Sequence, residues 1–398
     1  MTLRVLHTSD WHLGRKLHGE SLSEAQEKFL DWFIDDLVPA EEPHLIVVSG
    51  DIYDRGIPPT EVIEMFEDSL ARIQSSGTPI LITSGNHDSS VRLGSNTRWL
   101  DRFGLHFRTR ISEITKPVVV EGKDFDLYAY GIPYIEPDAD TGTGENQLDV
   151  AAEHTDVLDA AVKKIKSNLD SQKKTNPVRT LVASHAFVTG GIAADSERPL
   201  KIGGADNADA AVFSGIDYVA MGHLHGAQYL EGMKQATIRY SGSPIPFSFS
   251  ERDHEKQVLM VTITKDGVSH ESIESITIPQ IRRMRYLEDT LDNILRFAES
   301  DPNKDDWMHI NLKEQTVAPG VYDALKARYP HLLKWEYNRD GRNTIYVPNQ
   351  DGMKLNSPLE ITKRFYERVT EEQPSDQTIT LIEDCCNSVN SALSQVKK

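Results

Sequence analysis

The chain has 398 residues, long for one domain and enough for two or three. Hydrophobic residues at 38% and charged residues at 26% describe a folded globular protein and exclude a disordered one, and no stretch reaches the 18 or so apolar residues of a membrane-spanning helix. A net charge of −18 argues against a protein that grips nucleic acid unaided over a broad surface, because neutralising phosphates takes clustered Lys and Arg.

In chain order, Leu3–Thr8 reads as a buried strand. The N-terminal run MTLRVLHTSD has neither the basic region nor the apolar length of a secretory leader. From Ser21 to Val38, Leu22, Ala25, Phe29, Leu30, Phe33, Ile34 and Leu37 recur at helical spacing. His44–Ser49 is a second strand. A helix follows Pro58–Pro59 with Val62, Ile63, Phe66, Leu70 and Ile73 on one side, and Pro79–Thr83 is a third strand. Phe125–Ile132 reads as a strand, Asp138–Gln147 as a polar loop, and Asp149–Leu169 as a helix. Strands return at Thr180–Ser184, Tyr218–Met221 and Ile238–Ser241, and Lys265-Asp266-Gly267 is a hairpin signal between Val258–Thr264 and Val268–Ile276. This alternation predicts an α/β layer structure.

After Pro279 the pattern changes to strand, helix (288–299), strand (307–312), helix (319–329) and strand (332–337), a small α+β unit. Ser357-Pro358 opens an amphipathic helix, and a second carries Ile382, Cys385, Cys386, Val389, Leu393 and Val396. Those two adjacent cysteines, the only ones, make no disulfide framework, so a reducing cytoplasm is the expected setting.

Five short segments carry the chemistry, each at the end of an expected strand: Asp10-Trp11-His12, Gly50-Asp51, Gly85-Asn86-His87-Asp88, Ser184-His185 and Gly222-His223-Leu224-His225. Ligands of open α/β sheets bind beyond the carboxyl ends of strands, so the five are expected to converge on one rim. Asp, His and Asn are oxygen and nitrogen ligands without a cysteine among them, which favours a catalytic Mn, Fe, Mg or Zn centre over a structural zinc. In extended chain, residues i and i+2 share a side, which would bring Asp10 to His12 and His223 to His225. Seven candidate ligands predict two ions, about 3.5–4 Å apart, bridged by a shared carboxylate, with Asp51 the natural bridge. Gly50, Gly85 and Gly222 would permit sharp turns and close backbone approach. A lone histidine such as His7, His18 or His44 is ordinarily only a surface or hydrogen-bonded residue, and a lone Gly-Asn-His-Asp is ordinarily a turn. The ordered combination carries the signal.

That ordered set resembles the calcineurin-like metallophosphoesterase superfamily. The longer stretches HTSDWHLGRKLHG, GDIYDRGIPP, GNHDSS and YSGSPIPFSFSE are similar to the SbcD family within it, bacterial nuclease subunits of SbcCD DNA repair complexes. The resemblance implies a two-sheet sandwich flanked by helices over residues 1–278, a DNA-capping α+β domain over 279–345, and partner-docking C-terminal helices over 346–398. It implies one metal on Asp10, His12, Asp51 and His225 and another on Asp51, Asn86, His185 and His223, with manganese the family's usual ion. His87 is then the non-ligand histidine that stabilises or protonates the leaving oxygen. Archaeal relatives carry a second catalytic histidine three residues after the bridging aspartate; this chain has Asp54 there, and Asp54 receives no catalytic role. The expected partners are DNA, an SbcC-type coiled-coil ATPase and a second copy of the chain within a heterotetramer. Of the basic clusters, Arg15-Lys16 is the candidate for substrate contact. The alternatives are a phosphatase or cyclic-nucleotide phosphodiesterase of the same superfamily, against which the roughly 120 residues after Pro279 argue, and a non-catalytic scaffold, whose signature would be missing ligands.

Overall fold

A computed structural model describes residues 2–144, 146–151, 153–197, 207–230, 236–314, 319–339 and 342–345, with a few isolated positions beyond. The chain divides into two compact units, Met1–Thr344 and Ile345–Lys398. The C-terminal helices expected after Ser357 lie outside the described residues.

Two six-stranded mixed sheets form the heart of the first unit. One runs Ile273–Thr277, Gln257–Ile263, Leu3–Thr8, Leu45–Ser49, Ile80–Thr83, Leu105–Arg108, the last four mutually parallel. The other runs Gln228–Tyr229, Thr237–Tyr240, Tyr218–Gly222, Val178–His185, Asp126–Ile132, Val118–Val120, with its four central strands parallel. Their facing sides share one apolar layer that includes Val5, Val47, Leu81, Ala129, Leu181, Ala220 and Val261.

Each sheet is also covered on its outer side, which is why its strands read as continuous apolar runs rather than alternating ones. Leu6, Ile46, Val48 and Ile82 of the first sheet pack under Phe29, Phe33, Phe66 and Leu70. These come from the helix Thr60–Ser76 and from a longer one that begins as Ser23–Asp31, loosens to π-helical over Trp32–Leu37 and recovers at Val38–Glu41. Tyr130, Val182, Val219 and Ile238 of the second sheet pack under Val157, Ala161 and Ile165 of the helix His154–Ser171. Neither Leu105–Arg108 nor Val118–Val120 was expected from the sequence. The Lys265–Gly267 turn does form, but its second strand begins only at Ile273, after a 3-10 turn at His270–Ser272.

A third sheet, in the order Met284–Asp289, Trp307–Leu312, Leu332–Arg339, Arg342–Ile345, carries the helices Leu291–Ala298 and Val321–Arg328 over its own small core. It is fastened to the rest by a separate cluster in which Met284, Trp307 and Leu333 meet Leu17, Leu22, Ile245 and Phe247. Among the described residues no helix is long and apolar enough to cross a membrane.

Candidate metal centre

All five segments lie where parallel strands end. Leu3–Thr8, Leu45–Ser49 and Ile80–Thr83 deliver the first three from one sheet. In the other, His185 is the last residue of its strand and His223 follows Gly222. The first two segments continue the strand pairing beyond the sheet: Asp10 donates from its amide to Gly50 O at 3.1 Å, His12 to Asp51 O at 2.9 Å and Leu13 to Ile52 O at 2.8 Å.

Asp10 and His12 do come together, but not as neighbours on an extended strand. Their φ values are 54° and 43°, left-handed and strained for such side chains. Trp11 explains the turn. Its ring is fully buried among Phe29, Phe33 and Phe66, with centroids 5.9, 6.1 and 6.3 Å away, and its indole N–H donates to Thr8 Oγ1. With Trp11 anchored in the outer core, the residues on either side of it turn into the rim. Gln26 secures this loop by donating to the carbonyls of Trp11 and His12 and accepting from the amide of Gly14. Asp51 (φ 51°) and His223 (φ 104°) are held in the same uncommon region.

The side chains converge. His12 Nε2 lies 3.1 Å from His225 Nε2 and 3.5 Å from Asp51 Oδ2, while His185 Nε2 lies 3.4 Å from the same Asp51 oxygen and 3.0 Å from Asn86 Oδ1. Asp10, His12 and His225 can reach one ion together, and so can Asp10, Asp51 and His185. Asp10 therefore stands within reach of both groups, whereas the family resemblance puts it in one. His223 offers its backbone amide to both oxygens of Asp10, and its ring packs 5.4 Å from that of His185. His87 is half-buried beside the cluster, its ring 4.7 Å from His12; its amide donates to Asp51 Oδ1 and its Nδ1 to the carbonyl of Asp54 at 2.8 Å. Arg15 is tied to Asp54 at 3.2 Å and to the carbonyl of Ser196, over the ring of Phe247, while Lys16 is exposed.

Three glycines make this approach possible. A Cβ on Gly50 would meet His185 Nδ1 at 2.4 Å, one on Gly85 would meet Asp51 Oδ1 at 2.1 Å, and one on Gly222 would meet Ser49 O at 1.9 Å. Asp88, given no role from sequence, braces two loops at once. Its carboxyl oxygens accept the amides of Gly85, Ile52 and Tyr53. Also missed were Ser9, which donates to Asp10, and the group Ser196, Glu197, Glu251 and Lys256 behind His225.

The electrostatics suit a cation. Burial drives the imidazoles of His12 and His223 well below the ordinary histidine range and that of His225 down to about 4, so these rings are neutral donors. Burial pushes the carboxyl of Asp10 up to about 7. Burial also opposes charge on Asp51 and His185, but their mutual attraction outweighs it; the carboxyl of Asp51 stays well below its usual range and His185 rises to about 9. Two carboxylates with almost no solvent exposure are costly unless positive charge offsets them. Buried His12 Nδ1 has no hydrogen-bond partner, and neutral nitrogens meet carboxylate oxygens with no thiol among them. The donor set fits hard or borderline divalent ions.

Two family models match the chain. The family of calcineurin-like phosphoesterases matches residues 3–227, and the SbcD_C family, described as the type 5 capsule protein repressor C-terminal domain, matches residues 280–370. Among solved structures, TT1561 of Thermus thermophilus is similar at 12% identity and a TM-score of 0.41, over 70% of this chain and 100% of that one. Purple acid phosphatase PPD1 of yellow lupin seeds gives 12% and 0.36, over 70% of this chain and 54% of that one. Sulfate thiohydrolase SoxB of Thermus thermophilus gives 14% and 0.37, over 83% and 60%. With the first match covering more than half of its length and the second following in order, the chain belongs to the calcineurin-like phosphoesterase family, is a phosphoester hydrolase of a divalent-metal-dependent kind, and has the make-up of an SbcD protein.

Proposed function

We propose that this protein is the nuclease subunit of an SbcCD-type DNA repair complex, acting as an exonuclease on double strands and an endonuclease on single-stranded or hairpin DNA. One observation carries the chemistry: side chains from five separate segments meet around Asp51, with His87 beside them. In this reading Asp10, His12, Asp51 and His225 hold one cation, and Asp51, Asn86, His185 and His223 hold the other, with Mn²⁺ as the ion. Two such cations, when bound, clamp a phosphodiester, acidify the attacking water and stabilise the departing oxygen. His87 handles the proton. Its Nδ1–H is committed to the carbonyl of Asp54, so the neutral ring has a bare Nε2. To protonate the leaving oxygen, His87 must enter the step with hydrogen on both nitrogens, give up the one on Nε2 and end as the neutral Nδ1–H ring. Asp54 thus serves His87 through its backbone, and its carboxylate serves Arg15. Exposed Lys16 is the better DNA contact of the basic pair, since Arg15 already spends two of its donors on protein.

In this reading residues 279–345 form a capping domain that positions DNA and 346–398 a docking segment for an SbcC-type ATPase, and the protein acts in the cytoplasm on the nucleoid; the match over residues 280–370 supports the SbcCD-type assembly. Such a partner would bring the basic surface that a chain of net charge −18 lacks. A second copy is supported by an apolar flank. Exposed Val91 and Phe103 line a groove of about 850 Å³ floored by Phe66, Leu70 and Phe107, exposed Ile57 and Trp99 adjoin its lining residues Pro58 and Leu100 in the chain, and a patch of this kind marks an association surface.

The test compares turnover of linear double-stranded DNA with that of small phosphodiesters in Mn²⁺. DNA is expected to be cut, and His87→Gln is expected to abolish cutting with metal content unchanged. Preference for small phosphodiesters would favour a phosphodiesterase, and wild-type cutting by the variant would remove His87 from the chemistry.

A further inference from the structure

The histidines of the centre are oriented by different means. Nδ1 of His185 donates to the carbonyl of Ser49 at 2.9 Å and Nδ1 of His87 to that of Asp54, so backbone oxygens dictate which nitrogen carries the proton. At His225 side chains do this. Its Nδ1 lies 2.7 Å from Ser196 Oγ, and that hydroxyl donates its single proton to Glu251 Oε1. A hydroxyl that has given its proton to a carboxylate can only accept from the imidazole, so His225 must carry hydrogen on Nδ1 and present the bare lone pair of Nε2.

Glu251 is itself fixed. Its Oε1 also accepts the amide of Phe247, and its Oε2 accepts from Lys256 Nζ. That ammonium is almost fully buried and donates further to Ser243 Oγ and to the carbonyl of His225. Burying such an ion pair is expensive and is weak evidence of a stability role. Its position behind one histidine of the centre suggests another purpose. Glu197 adds a clasp on the same residue by accepting the amide of His225 at 2.7 Å. The freed Nε2 faces His12 Nε2, 3.1 Å away, at the place where the two rings would share an ion.

We infer that Ser196 and Glu251, with Lys256 holding the carboxylate in place, form a relay that fixes the tautomer of His225 and so sets the affinity of the His12–His225 side of the centre for its cation. These are positioning residues, and the inference rests on the reading of His225 as a metal ligand. Outer partners of ligating histidines are worth about 10–100-fold in metal affinity.

The experiment uses the full chain and three proteins: wild type, Ser196→Ala, and Ser196→Thr, which keeps the hydroxyl. Ser196 sits on a part-buried loop, so its variants are expected to fold, and Glu251→Gln extends the series if it folds as well. Long-range ¹H–¹⁵N spectra of the metal-free proteins read the tautomer. Wild type and Ser196→Thr are expected to show His225 protonated on Nδ1, and Ser196→Ala to show a mixture or the Nε2–H form. Calorimetric titration with Mn²⁺ is expected to show one binding step about 10-fold weaker in Ser196→Ala and restored in Ser196→Thr. An unchanged tautomer in Ser196→Ala overturns the relay. So does unchanged Mn²⁺ affinity while the wild type binds normally. A wild type that takes up no Mn²⁺ would overturn the two-cation reading instead, and the spectra would still decide whether the relay exists.

Discussion

Gly85→Ala adds one methyl group at the most crowded point of the rim. The new Cβ would lie 2.1 Å from Asp51 Oδ1, 2.4 Å from Asp51 N and 2.6 Å from Asp51 Cγ, where ordinary contact begins near 3.4 Å. Gly85 is not among the glycines with positive φ, so alanine meets no backbone penalty there and the collision with Asp51 is the whole perturbation. Either the carboxylate or the loop must give way by more than an ångström. The Asp51 side cannot yield cheaply, because Asp88 binds the amides on both sides of the gap, at Gly85 and at Ile52 and Tyr53. Overpacking of this kind costs about 1–3 kcal/mol of stability, and a misplacement of about 1 Å in a catalytic group costs on the order of 10²-fold in rate. The expected result is a folded protein with a modestly lowered Tm, weakened uptake of Mn²⁺ and phosphodiesterase activity down about 100-fold. Thermal melting, calorimetric titration and turnover of bis(p-nitrophenyl) phosphate read the three effects. A Gly85→Ala protein with wild-type Mn²⁺ affinity and turnover would refute the close packing of this loop against the bridging carboxylate.

Three other perturbations probe different links. Glu251 has its carboxyl held below the usual range: burial opposes its charge, but Lys256 and His225 outweigh that, so its contribution to stability is present above about pH 4.5 and fades as pH falls further. In melts of metal-free protein, the Tm gap between wild type and Glu251→Gln is expected to narrow as pH drops from 5 toward 3, and a gap constant with pH would count against that charge. Trp307→Ala empties the cluster that fastens the third sheet to the sandwich, at a cost of about 3–5 kcal/mol; calorimetry is expected to show the third sheet melting ahead of the rest, and one unchanged transition would contradict this. Trp99→Glu with Phe103→Glu places charge on the apolar flank and is expected to halve the mass seen by analytical ultracentrifugation, whereas a wild type that is already monomeric would dispose of that surface as a dimer contact.

The sequence revealed the convergence more readily than the way it is built. Strands buried on both faces, such as Leu45–Ser49 and Tyr218–Gly222, announce themselves by unbroken apolar runs, and the metal-binding residue types at their ends follow directly. Short strands against one covered face, such as Leu105–Arg108 and Val118–Val120, carry too little pattern to be seen. The expectation that Asp10 and His12 pair through extended-chain alternation reached a true neighbourhood by a wrong route, because left-handed φ values and the anchoring of Trp11 are tertiary effects. Glu251 closes the YSGSPIPFSFSE stretch and Lys256 follows it, but the sequence gives neither a role behind His225. Their burial depends on how the Ser241–Gln257 segment packs, and no local spacing signals it.

The backbone explains why this chemistry requires so large a scaffold. Among the described residues seven non-glycine positions have positive φ, and four of them are Asp10, His12, Asp51 and His223. Each such conformation costs on the order of 1–3 kcal/mol and persists only where its surroundings over-determine it. Those surroundings are visible: Trp11 in an aromatic cage, Gln26 on two carbonyls, Asp88 on three amides, and the His223 amide on Asp10. The strain brings buried carboxylates and imidazoles to within 4 Å of one another, an arrangement that relaxes unfavourably without positive charge between them. A cation would therefore do more than react. By offsetting the repulsion and desolvation that the fold imposes, it would stabilise the rim itself, and metal-free protein is expected to lose stability chiefly in the loops Ser9–Leu13, Gly50–Asp54 and Gly85–Asp88, where hydrogen exchange would reveal it.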